Sequence, residues 1–101
     1  MQIRNSLLIP FFMLAAACAP IVSQDAIQSP PHAIGPREPQ TVELFTAGAP
    51  ARAHVDVAVF HADLGDNSSR IAKMRESAAM MGCDGLVLQN TDAGWAGTCI
   101  V

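Results

Sequence analysis

Apolar positions change their spacing several times along this chain, and each change predicts an element. Residues 7–17 carry no polar side chain at all. Much further on, Thr41-Val42-Glu43-Leu44-Phe45 alternates and predicts a short strand, closed off by Gly48 and Pro50. Residues 52–64 place Val55, Val57 and Val59 on one face and Ala58 and Phe60 on the other. A run that is apolar on both faces predicts an interior strand. The spacing then switches to three and four: Ile71, Met74, Ala78 and Met81, with Ala79 beside them, predict a helix over 69–81. Arg70, Lys73 and Glu76 take its wet side, and Met74, Met80 and Met81 read as packing residues. Before it, Gly65-Asp66-Asn67-Ser68-Ser69 reads as a turn running into Ser68 and Ser69 as cap residues. After it, Gly82 is a natural terminator, because glycine enters the left-handed region without steric cost. Leu86-Val87-Leu88 and Thr98-Cys99-Ile100-Val101 predict two last strands joined by residues 92–97. The order is β-β-α-β-β over 41–101, an α+β class with one helix across a mostly antiparallel sheet.

The apolar run 7–17 has a different meaning. It follows one basic residue, Arg4, and ends in Ala15-Ala16-Ala17-Cys18. A basic start, an apolar core of about 7–15 residues and small residues at the end describe an export signal over 1–17. A membrane span needs about 20 apolar residues; this run is shorter and carries Pro10. The pattern around Cys18 resembles a lipoprotein junction, where small side chains fit the peptidase groove and the thiol takes a diacylglycerol thioether. The resemblance implies lipid attachment at Cys18, removal of 1–17, and a membrane anchor outside the cytoplasm. An ordinary signal peptide cut at Ala15-x-Ala17 is the alternative. Ala19, in place of an aspartate, implies transfer to the outer membrane with the domain facing the periplasm. The chain has three cysteines, an awkward number in an oxidising compartment. Acylation of Cys18 leaves an even pair.

Residues 19–40 hold five of the seven prolines. Proline fixes φ and lacks a donor, so 18–40 is expected to be a lipidated cysteine followed by an extended tether, outside the sheet. Composition narrows the partners. Without Arg4, the six Lys and Arg fall to five against nine Asp and Glu. An acidic domain lacks the basic footprint needed on a phosphate backbone, so nucleic acid is not an expected partner.

The lipoprotein junction, the Pro-rich stretch, the helix up to Met81 running into Gly82-Cys83-Asp84-Gly85-Leu86-Val87, and Cys99 in the final strand together resemble small envelope lipoproteins such as the Rcs stress-sensor family of enteric bacteria. The resemblance implies a non-enzymatic protein that works by protein–protein contact in envelope maintenance or stress sensing, on the membrane and without a cofactor. Those sensors carry two disulfides in the domain, where this chain has cysteines for one.

Four sets of side chains are candidates for chemistry. Cys83 and Cys99 suit a structural disulfide, with separate thiols or a metal or redox pair as alternatives. A tight hairpin closed through 92–97 sets Cys99 opposite Leu88, so bridging would need a sharp fold at Asp84-Gly85. His54, Asp56, His61 and Asp63 bear metal-ligand types. Along a regular strand His54 and Asp56 face one way and His61 and Asp63 the other, so they converge only across a bulge. His54, His61 and Cys83 form the alternative ligand set of a small-ligand or metal-binding module. Trp95, the single tryptophan, is a candidate partner contact or a cap on the core. No serine–histidine–acid or paired-carboxylate arrangement suggests an enzyme.

Overall fold

The computed structural model describes residues 20–92 and 94–101; the export signal and Cys18 lie outside them. Five strands and one long helix follow in the order β1 (Ile21–Ala26), β2 (Glu43–Phe45), β3 (Asp56–Asp63), α1 (Asn67–Met81), β4 (Gly85–Thr91) and β5 (Gly94–Ile100), with a single 3-10 turn at Pro39–Thr41. The sheet order is β1-β3-β5-β4-β2. All neighbours are antiparallel except β2 and β4. The expected α+β class stands, with one strand more than the sequence pattern predicts.

That strand corrects the reading of 18–40 as a tether outside the sheet. Ile21 to Ala26 pairs residue for residue with β3, from Ile21 opposite Asp63 to Ala26 opposite Ala58. The prolines permit this because none falls between Pro20 and Pro30. Pro20 itself stands just before the strand, where no ladder donor is required. Residues 27–42 then form a strap that crosses from one edge of the sheet to the other. Arg37 N–H donates to the Ala79 carbonyl at 2.9 Å. The Arg37 guanidinium reaches Asp84 Oδ1 at 2.7 Å and Thr41 O at 3.0 Å. Arg75 of α1 donates to the carbonyls of Val42 and Gln40, each at 3.0 Å.

One face of the sheet receives α1. The row Ala26, Ala58, Cys99, Leu86 and Leu44 runs across all five strands. Because opposed residues share a face, this row and the one through Phe60, Gly97 and Leu88 lie beneath the helix. Met74, Ala78 and Ala79 supply the helix side, and Phe60, Met74 and Leu86 are fully buried. Alanines at 58, 62, 78 and 79 let the layers approach closely. Met80, expected to pack, is instead 75% exposed. It follows Ala79 by a single step of about 100° around the helix axis, which carries it off the stripe.

Asp66 caps α1, in place of the expected serines. Its carboxylate accepts from the Ser69 N–H at 2.8 Å and from the Ser68 hydroxyl at 3.0 Å. A carboxylate also suits the positive end of the helix dipole better than a hydroxyl. The backbone bond from Ser69, more than any other contact, holds the Asp66 pKa below its ordinary 3.8. A depressed folded-state pKa means the cap's contribution is complete above that value and is lost as pH falls through the lower one. We expect Asp66→Asn to flatten the acid limb of a thermal-melt series below about pH 4, and to change little at pH 7, where both side chains accept the bond.

Candidate functional site

The helix exit sets the position of the first candidate pair. Gly82 takes the left-handed conformation at φ 101°. Its N–H donates to Ala78 and Ala79, and the Cys83 N–H reaches back to Ala78 O at 3.0 Å. This double closure is a Schellman turn, and it swings Cys83 inward beneath the sheet. β4 and β5 turn between Thr91 and Gly94, tighter than the 92–97 loop expected, so Cys99 stands opposite Leu86 and not Leu88. The two-residue slide removes the geometric objection. Cys83 and Cys99 form a disulfide with Cα atoms 5.6 Å apart, and both residues are fully buried.

The disulfide also corrects the alternative ligand set, since Cys83 has no thiolate to offer. The histidines do not substitute for it. A bulge does interrupt β3 between Asp56 and Ala58, and it brings Asp56 onto the sheet face opposite α1, with His61 and Asp63. Five residues of strand still separate Asp56 from His61, roughly 16 Å. His54 Nε2 instead lies 3.6 Å from Asp56 Oδ1, and His61 Nε2 lies 3.8 Å from Asp25 Oδ2 on β1. Among the described residues no three His, Cys, Asp or Glu side chains come together.

Trp95 is half-buried against the core, on the helix side of the sheet, in the row Val22, Ala62, Trp95 and Asn90. Its indole Nε1 is enclosed and has no acceptor among the described residues. The ring therefore caps the core, and as a partner contact it offers only part of its surface.

Two further surfaces were not legible beforehand, because both are built from the stretch expected to be a tether. At the far end of β1, Ile27, Pro30 and Ile34 face Val57, Ala58 and Met81 across an open apolar groove of about 490 Å³. Among the described residues its lining carries no titratable group, and its walls suit an apolar side chain. At the near end, Pro20 lies against the loop after β3. A β-carbon on Gly65 would sit 3.1 Å from Pro20 Cγ. Leu64 in that loop has φ 66° and is 49% exposed, and Ile21 beside Pro20 is 62% exposed.

No protein-family model, curated protein or solved structure matches the chain.

Proposed function

We propose that the chain is an exported lipoprotein, acylated at Cys18 and held on the outer membrane, whose periplasmic domain acts by contacting an envelope protein and not by catalysis. Envelope maintenance or stress sensing is the role that this position serves. The observation that carries the proposal is the Cys83–Cys99 disulfide. It commits two of three cysteines to each other, and leaves Cys18 as the one remaining thiol in the chain. A buried disulfide is also the habit of proteins that fold outside the cytoplasm. The groove of Ile27, Pro30, Ile34 and Met81 supports contact over chemistry, being apolar and, among the described residues, without titratable groups.

The test is the mass of the protein extracted from membranes. The expected result is a chain beginning at Cys18 and carrying acyl groups, with Cys18→Ala leaving an uncleaved precursor that bears none. A mature chain beginning at another residue, or released with the soluble proteins after cell breakage, overturns the proposal. In the same cells a photoreactive group at Ile27, on the lip of the groove, should give one discrete envelope-protein adduct; a complete lack of adducts overturns the contact half.

A further inference from the structure

The end of the sheet where β1 begins combines three features. First, chain length: only Ala19 and Pro20 separate Cys18 from Ile21, whose pairing with Asp63 already belongs to the ladder. Three links of chain reach at most about 11 Å, and Pro20 is folded onto Gly65. A group carried by Cys18 is therefore leashed to this tip by a very short length of chain. Second, side-chain type: Ile21 and Leu64 are two of the four large hydrophobic residues left exposed among those described, and both lie here. Third, backbone: Leu64 occupies the left-handed region, where Asn, Asp or Gly is favoured and a γ-branched apolar residue gains nothing locally. Its carbonyl is pinned by Arg70 Nε at 3.0 Å, which fixes the loop in that shape. Such a residue, unfavourable both in backbone and in water, points to a contact outside the folded domain.

We infer that this tip, formed by Ile21 and Leu64 beside Pro20, rests in the headgroup region of the bilayer that holds the acyl group. The assignment depends on acylation of Cys18. Two half-exposed aliphatic side chains do not hold a free protein on a membrane. An anchor three links away changes this, because a short connection raises the effective concentration to about millimolar. The charges nearby select the lipid. Asp63 and Asp66 flank Leu64, against Arg70, whose Nη1 lies 3.8 Å from where a β-carbon on Gly94 would be. An acidic margin favours zwitterionic headgroups over anionic ones. The domain is thus oriented on the surface, with the groove of Ile27 and Met81 at the other end of β1, directed away from the bilayer.

Trp95 reads this geometry directly, being the single tryptophan and standing one row in from the pair Ile21 and Asp63. The experiment uses the full acylated protein, purified from membranes and placed in phosphatidylcholine vesicles containing lipid spin-labelled at the headgroup. The expected result is quenching of Trp95 emission at least twofold beyond that by a label near the chain end. The double variant Ile21→Thr, Leu64→Asn should at least halve that quenching with its melting temperature retained, since threonine suits a strand and asparagine suits the left-handed region. Replacing a third of the lipid by phosphatidylglycerol should also reduce it. Acylated protein whose Trp95 ignores the shallow label, or quenches equally in the double variant, overturns the inference and leaves the lipoprotein reading intact. Protection of Leu64 in intact cells but not in vesicles assigns the tip to a protein partner and likewise overturns it. A chain with no acyl group on Cys18 removes both.

Discussion

Cys83→Ala together with Cys99→Ala is expected to lower the free energy of unfolding by about 3 kcal/mol. The two cysteines are 16 residues apart, and closing a loop of that length removes about that much entropy from the unfolded chain. Small domains hold about 5–15 kcal/mol in total, and one of this size sits toward the bottom of that range. A loss of about 3 kcal/mol corresponds to a fall in Tm of roughly 12–24 °C. Urea unfolding of the oxidised and double-alanine proteins checks it; a difference under about 1 kcal/mol would show that the crosslink constrains little that packing does not. Both cysteines are fully buried in the core cluster that includes Met74 and Leu86, so reductant should act only as fast as the domain opens. The disulfide therefore acts as a staple on the helix exit, and its removal frees the junction between α1 and β4.

Gly82→Ala is the second large effect, at about 2–4 kcal/mol. The residue is left-handed at φ 101°, which alone disfavours a side chain. More importantly, a β-carbon there would lie 2.5 Å from Gly35 O and 2.7 Å from Gly35 N. These are backbone atoms of the strap, and they cannot swing aside as a side-chain tip would. The strap must lift, straining the Arg37 bonds to Ala79 and Asp84. Gly48→Ala is the matched control: the same φ of 101°, but with nothing within 4 Å, so only the strain of about 1 kcal/mol remains. Tryptic cleavage after Arg37 reports the difference. It should accelerate in Gly82→Ala and stay at the parental rate in Gly48→Ala. Equal cleavage in both would mean that the strap is not held by this contact.

The helix, β3 and the last two strands were legible because their apolar spacing is local and strong. Ile71, Met74, Ala78 and Met81 define one stripe whatever surrounds them. The pairing of Cys83 with Cys99 was readable as an option but not in its geometry, because its register depends on where the hairpin turns. A turn at Thr91–Gly94 instead of across 92–97 moves every partner by two. β1 was not legible at all. It is an edge strand with only Val22 half-buried, so it lacks the alternation that marks a strand facing a core. Its partner lies about forty residues away, and its proline neighbours argue for a linker. The apolar groove and the tip share that blindness, since each needs β1 in place. Asp66 displaced Ser68 and Ser69 as cap for an electrostatic reason that a residue-type preference alone does not rank.

The strand order has a consequence for how the molecule comes to exist. β3 is flanked by β1, made well before it, and by β5, made after every other strand. β1 can close on β3 as soon as both are made, whereas β4 and β2 reach that pair only through β5. β5 is thus the keystone of the sheet: without it the pair of β1 and β3 and the pair of β4 and β2 share no ladder.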